Sequence, residues 1–307
     1  MNKRRLGSSD LFISEIGLGC MSLGTNEQHA KNIIDAALDS GINYLDTADL
    51  YDYGINEKIV GRAIKGKRDQ VIIATKGGNH FKTGEEGWFW DPSKKYLKEA
   101  FKNSLLRLGI DYVDVYQLHG GTIEDPIDDI IELFEELKAE GLIRYYGISS
   151  IRPNVIKSYL EKSNLSSIMM QYSILDRRPE EFLDLIANNG VSVVARGVLG
   201  KGMLTESGLE QWKKKGQNGF LNYDQHSLKD VISNLQHLAN ELDVPVQSLA
   251  IGYTLNHQAI SSLILGASSV EQIEENIKAY HHARFSDDII NKIKKFSMEN
   301  KYEEHRS

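Results

Sequence analysis

Between Val71 and Leu118 the chain reads Val71-Ile72-Ile73-Ala74-Thr75-Lys76, an excursion to Asp91-Pro92, then Leu97, Phe101, Leu105 and Leu108 spaced for one helix face, Gly109, and finally Val113-Asp114-Val115-Tyr116-Gln117-Leu118. The two apolar runs have the length and β-branched content of strands. Asp91 as N-cap and Pro92 as first helical residue open the segment between them, and Gly109 stops it. A strand, a helix and a strand in this order make a right-handed unit with parallel strands. Nearly continuous apolar strands imply a sheet buried on both faces.

The same unit recurs. Apolar runs at Ile16–Leu18, Ile42–Leu45, Ile143–Ile148, Ile168–Gln171, Val191–Ala195 and Ser262–Leu265 bring the strands to eight. Asp125-Pro126 opens another helix, with Ile127, Ile130, Ile131, Phe134 and Leu137 facing inward and Gly141 at its end. Eight units over about 290 residues, with no linker-like stretch, predict an α/β fold, a single (β/α)8 TIM barrel occupying residues 1–307 as one domain. A doubly wound open sheet is the alternative, but no Gly-x-Gly-x-x-Gly follows the first strand. Arg5–Leu11 and Phe12–Ile16 read as an N-terminal β-hairpin across Gly7-Ser8-Ser9-Asp10, placed to plug the barrel's other end. Two connections are long loops: Gly77–Asp91, carrying Trp88, Phe89 and Trp90, and Gly200–Ser227. Both follow strand C-termini, the face where barrel enzymes keep their sites, which makes Trp88 and Trp90 candidates for a substrate pocket.

Composition narrows the function. With 36 Lys+Arg against 43 Asp+Glu the net charge is −7, and basic residues gather only in short clusters such as Lys213-Lys214-Lys215, read as a solvated loop. Nucleic-acid binding needs a basic face, so no nucleic-acid partner is expected. No window reaches the roughly 18 apolar residues of a membrane span, and Met1–Arg5 leads into Leu-Gly-Ser-Ser-Asp, not an apolar signal core. A cytoplasmic protein, away from membranes and monomeric, is the expectation. Cys20 is the single cysteine, which excludes an internal disulfide and a Cys-based zinc site. No metal is expected, since His281-His282 has no Cys or carboxylate at ligand spacing and reads as a solvated helix end.

A polar residue ending an apolar barrel strand has no packing reason to be there. Here the second strand ends at Asp46, the third at Lys76 and the fourth at His119, with Tyr51 just beyond Asp46. Neighbouring strands lie about 4.8 Å apart, so the four side chains can meet in one small volume. Singly, each has a plain structural explanation, the Asp as a cap and the His as a satisfied core residue. Their convergence is what points to chemistry.

At these residues the chain resembles the aldo-keto reductase superfamily, over nearly all of its length. The similarity lies in Gly41-Ile42-Asn43-Tyr44-Leu45-Asp46-Thr47-Ala48-Asp49-Leu50-Tyr51 with Gly54-x-x-Glu57-x-x-x-Gly61, in Ala74-Thr75-Lys76 and in Leu118-His119. Leu105-x-x-Leu108-Gly109-x-Asp111-Tyr112-x-Asp114 and Ile143-Arg144-x-x-Gly147-Ile148-Ser149 are also family-like, and the branch resembled includes potassium-channel β subunits. The resemblance implies an oxidoreductase in which NADPH reduces an aldehyde or ketone, a small-molecule carbonyl substrate, by hydride transfer. Asp46, Tyr51, Lys76 and His119 are its implied catalytic residues. Hydride addition leaves negative charge on oxygen, so a proton donor must be poised there, the implied part of Tyr51. A phenol with a pKa of about 10 is a reluctant acid, and the Lys76 cation would favour its phenolate. Asp46 would pair with Lys76, and His119 would orient the carbonyl.

By the same resemblance NADPH/NADP+ is held by Gly19, Cys20 and Met21, by Asp46, and by Ser149, Ser150 and Gln171 at the nicotinamide. Arg196-Gly197-Val198-Leu199-Gly200-Lys201-Gly202 would cross the pyrophosphate, with Lys201 as charge partner, and Gly266, Ser268, Gln272, Glu275 and Asn276 would surround the adenosine. Three positions depart from the family: Ser150 stands where Asn is usual, Arg196 where an aromatic ring meets the nicotinamide, and Gln272 where many relatives have Arg. Ser269-x-x-Gln272 also reads as a capping box, at a helix N-terminus whose free N–H groups suit a 2′-phosphate. Two other readings are a barrel aldolase with Lys76 as Schiff-base lysine and a cofactor-sensing regulatory subunit with little turnover. The Asp46 partner argues against the first, because it keeps the lysine protonated.

Overall fold

The computed structural model describes residues 1–82 and 84–306. In chain order its elements are β1 (Lys3–Arg5), β2 (Phe12–Ser14), β3 (Ile16–Gly19), α1 (Glu27–Asp39), β4 (Tyr44–Asp46), α2 (Ile55–Ala63), β5 (Ile72–Gly77), β6 (Asn79–His80), β7 (Phe89–Trp90), α3 (Lys94–Leu108), β8 (Val113–Leu118) and α4 (Ile127–Ala139). There follow β9 (Ile143–Ser149), α5 (Pro153–Lys162), β10 (Ser167–Gln171), α6 (Glu180–Asn188), β11 (Ser192–Arg196), α7 (Gly208–Lys215), α8 (Gln225–Leu242), α9 (Val246–Leu255), β12 (Ile260–Gly266), α10 (Val270–His281) and α11 (Asp287–Phe296).

The strands β3, β4, β5, β8, β9, β10, β11 and β12 close into a barrel in sequence order. Every neighbouring pair is parallel. The period-2 alternation of the strands sorts their side chains into two cores. Tyr44, Ala74, Val115, Met169, Val194 and Ile264 point inward and pack with Leu6, Leu11 and Ile13 of the hairpin, which plugs the barrel as the sequence predicts. Leu45, Ile73, Leu118, Ile148, Val193 and Leu263 point outward onto the helices. That double burial is why the strands read as apolar runs instead of alternating ones.

Helix starts depart from the sequence reading. Ser93, not Asp91, caps α3 by accepting from Tyr96 N–H, while the Asp91 carboxylate accepts from Ser93 N–H at 3.1 Å. Pro126 occupies the N-cap of α4 without a side-chain bond, because Asp125 is turned back to Thr122 and to the indole of Trp90. On α4 the inward face includes Leu133, and Ile131 is only half-buried. The stretch from Gly200 to Ser227 is not all loop: it contains α7, and Lys213-Lys214-Lys215 form that helix's last turn. Cations there meet the negative end of the helix dipole. The excursion after β5 folds as the hairpin β6–β7, and Thr83 lies outside the described residues. Among the described residues no helix is long and apolar enough to cross a membrane.

Candidate active site

Parallel pairing places the inward residues of β4, β5 and β8 side by side, Asp46 opposite Ala74 and Lys76 opposite Gln117. Lys76 is fully buried, a position tolerable for an ammonium only with partners. Its Nζ donates to Asp46 Oδ2 at 2.7 Å, to the Thr47 carbonyl at 2.7 Å and to the Tyr51 hydroxyl at 3.4 Å. Burial works to lower the Lys76 pKa, but Asp46 and Tyr51 outweigh it and hold the ammonium above its ordinary value. Beyond Tyr51 the chain runs through Asp52, Tyr53 and Gly54 with φ of 48°, 52° and 87°. Two non-glycine residues in that region are strained, and the sharp turn they make places the phenol ring over Lys76 Nζ, 5.0 Å from its centroid.

His119, one residue past β8, stands edge-on to Tyr51 with ring centroids 5.9 Å apart. Burial, together with Lys76 and Arg196, lowers its pKa to about 3, so the imidazole is neutral. Its Nδ1 is buried without a partner. The four residues expected to converge therefore do so. One expectation shifts: burial raises the Tyr51 pKa more than Lys76 lowers it, and the phenol is held protonated.

The aromatic pair divides. Trp90 lays its ring on the backbone beside the site: a Cβ on Gly78 would meet it at 2.7 Å and one on Gly120 at 3.2 Å. Both glycines have positive φ, 126° and 145°, which side chains rarely adopt, so the contact needs glycine on two counts. Trp88 is 55% exposed on the hairpin.

At the same end of the barrel, where Gly266 pairs with Gly19 and Gly19 with Asp46, lies a cleft of about 1160 Å³ that none of the four clustered residues lines; it exceeds the roughly 300–1,000 Å³ of a drug-sized pocket, which suits a dinucleotide. Gly197, Val198, Leu199, Lys201, Gly202, Gly266, Gln272, Glu275 and Asn276 all line it. Where β3 and β12 pair, Gly19 faces Gly266, and a Cβ on Gly266 would come within 2.7 Å of Ser22 Oγ, so absent side chains help open this wall. Gly200 is buried in the adjoining turn. Lys201 lies 5.7 Å over the Phe220 ring, and Lys215 and Lys278 share the wall with Glu206, Asp243 and Glu275. The capping box forms in half: Ser269 Oγ accepts from Gln272 N–H at 3.4 Å, while the Gln272 side chain reaches one residue further back, its Oε1 accepting from Ser268 N–H at 2.8 Å, so that donor is not free.

Other expected contacts are only partly positioned. Cys20 is fully buried, with burial pushing its thiol far up, so its side chain is core while its carbonyl accepts from Asn56. Met21 is 65% exposed. Ser149 is half-buried, and Ser150 Oγ accepts from Arg152 N–H at 3.3 Å. Gln171 and Arg196 touch, Nη1 to Oε1, at 3.2 Å. Sequence reasoning missed Thr47, which acts through its carbonyl and has no side-chain signal, and the buried Asp176 with Arg178, whose only signal was a charged run just after the sixth strand. Among the described residues no group of three or more His, Cys, Asp and Glu is placed to hold a metal.

The sequence profile described as Aldo/keto reductase family matches residues 15–298. The chain is 55% identical, over the whole of both proteins, to "Uncharacterized oxidoreductase YqkF" of Bacillus subtilis. It is 32% identical to the "NADH-specific methylglyoxal reductase" of Escherichia coli, over 91% of this chain and 93% of that one. Among solved structures, aldo-keto reductase AKR11C1 from Bacillus halodurans in its holo form superposes with a TM-score of 0.94 at 54% identity, covering both chains completely. Sequence, barrel and strand-end cluster agree that this chain belongs to the aldo/keto reductase family.

Proposed function

We propose that this protein reduces aldehydes or ketones to alcohols with NADPH, in the cytoplasm. The observation that carries this reading is the buried Lys76 ammonium joined to both Asp46 and the Tyr51 hydroxyl, at the barrel end that also holds a dinucleotide-sized cleft. NADPH would supply the hydride. Tyr51, held protonated by burial, gives its proton to the carbonyl oxygen as charge develops there. Lys76 then stands against the phenolate, and Asp46 and Thr47 keep the ammonium aimed. His119 is neutral, with Nδ1 enclosed, which leaves Nε2 to donate to the same oxygen. Trp90 walls the substrate side, and the residues lining the cleft hold the nucleotide. A cationic Lys76 is the wrong state for a Schiff-base nucleophile.

The test is loss of NADPH absorbance with a panel of aromatic and aliphatic aldehydes. The wild type should turn over at least one class. Tyr51→Phe should lose about 10²-fold or more of that rate, in line with the worth of a general acid, while keeping NADPH affinity within a few fold. Wild-type-like turnover by the variant removes the mechanism, and no turnover by the wild type favours a cofactor-sensing role.

A further inference from the structure

Gln171 and Arg196 end neighbouring strands and are partners in register. The Gln171 amide is held at both of its chemically different ends. Nε2 donates to Asp176 Oδ2 at 2.9 Å, and Oε1 accepts from Arg196 Nη1 at 3.2 Å. Asp176 is fully buried, and the Arg178 guanidinium grips it with two parallel bonds, Nε to Oδ1 and Nη2 to Oδ2, each 2.7 Å. A tight turn fixes its backbone, with Asp176 and Ser173 exchanging N–H and carbonyl bonds at 3.1 Å. Arg178 in turn lies 4.9 Å over the ring of Tyr302, in the C-terminal tail.

An ionised carboxylate only accepts, whereas a half-turn about the last side-chain torsion of glutamine exchanges a donor for an acceptor. Next to Asp176 the reversed amide would set two acceptor oxygens against each other. The two-bond grip of Arg178 also stops Asp176 from turning to relieve that clash. Gln171 is thereby limited to one orientation, NH2 toward Asp176 and carbonyl oxygen toward Arg196 and the barrel mouth. That oxygen has two lone pairs, so the single contact with Arg196 leaves it able to accept a second donor.

We propose that Asp176, braced by Arg178, is a positioning residue for nicotinamide recognition: it fixes the Gln171 amide so that Oε1 accepts from the carboxamide NH2 of the cofactor. This rests on the nicotinamide-dependent reading above. Gln171 stands at the strand end next to Gly197, which lines the cleft, whereas Asp176 is fully buried behind it and Arg178 is bonded to Asp176, so both act through Gln171.

The experiment is a fluorescence titration of the full chain with NADPH and with its reduced 3-acetylpyridine analogue, which has a methyl group where the carboxamide has NH2. Should the wild type bind NADH more tightly, the corresponding NADH pair is used. Asp176→Asn puts a donor beside Gln171 and frees its amide to turn. The variant should bind NADPH about three- to tenfold more weakly, the worth of one hydrogen bond, and the analogue within twofold of wild type. Gln171→Met should abolish the effect of Asp176→Asn in the double variant. Should Asp176→Asn fail to fold, Arg178→Gln is measured instead, with the same selective loss. Equal losses for cofactor and analogue, or no loss for either, overturn the proposal. A wild type that binds neither NADPH nor NADH overturns the nicotinamide reading itself, and the two failures are thus distinct.

Discussion

At His119 a single side chain reports how strongly this barrel mouth resists extra positive charge. Burial comes first, then Lys76 and Arg196, and together they take the imidazole from 6.5 to about 3. Between those values the unfolded chain takes up a proton that the folded chain refuses, so this residue makes stability rise with pH across that window and fall on acidification. The slope is at most about 1.4 kcal/mol per pH unit. His119→Gln should flatten acid unfolding measured between about pH 6 and 4; an unchanged slope would mean that the imidazole titrates normally. Arg196 contributes to the same field and has no carboxylate within ion-pair distance among the described residues, only the neutral Gln171. Set against the nicotinamide, its charge would be tolerated by the reduced ring and repelled by the oxidised one. Two unit charges about 4 Å apart repel by about 4 kcal/mol at an effective dielectric near 20, an upper figure that solvent reduces. Even a quarter of that is about fivefold in affinity. The enzyme should bind NADPH more tightly than NADP+, and Arg196→Tyr should narrow the gap by tightening NADP+ more. Equal wild-type affinities, unchanged in the variant, would place the arginine away from the ring.

Among the elements, the contact of α2 with the end of α3 supports the turn that carries Tyr51. Glu57 on α2 accepts from Thr75 on β5 at 2.5 Å and from Arg107 on α3 at 2.6 Å, tying strand and helices together directly behind Lys76. The helices meet at Gly61, where a Cβ would fall 2.1 Å from the Leu108 carbonyl oxygen. That neighbour is backbone and cannot swing aside. Gly61→Ala should therefore destabilise by about 1–3 kcal/mol, the usual cost of overpacking, although alanine is the better helix former. Chemical denaturation measures it, and a neutral or stabilising result would mean that the helices separate freely.

For the whole molecule, the barrel keeps stability and chemistry at opposite ends. The hairpin and its apolar plug close one end, while the strand-end cluster and the cleft occupy the other. A ligand that binds only the folded state adds stability by mass action, about 2.7 kcal/mol at a hundredfold excess over Kd. NADPH should therefore raise the melting temperature by several degrees, and by more than NADH at equal concentration. A larger shift with NADH would overturn the assignment of Gln272 and its neighbours to a 2′-phosphate, at a site where Gln272 already occupies the Ser268 N–H.

The barrel and its three strand-end residues, with Tyr51 just beyond the first, could be read from the chain as a string, because both are short-range signals. A strand buried on two faces must be apolar throughout, and an ionisable residue at or next to the end of such a strand, as Asp46, Lys76 and His119 are, stands out against it. Strand order then follows from the right-handed crossover, and convergence follows from strand order. Folding alone sets which of several plausible partners a polar group takes. Ser93 displaces Asp91 as cap, Asp125 serves Trp90 and Thr122, and the Gln272 side chain takes Ser268 N–H in place of Ser269 N–H. Each choice turns on side-chain torsions and on neighbours distant in the chain, which leave no local pattern. The state of Tyr51 belongs to the same class: the sequence supplies the phenol and the lysine, but burial, a property of the assembled barrel, outweighs the lysine's charge and keeps the proton in place.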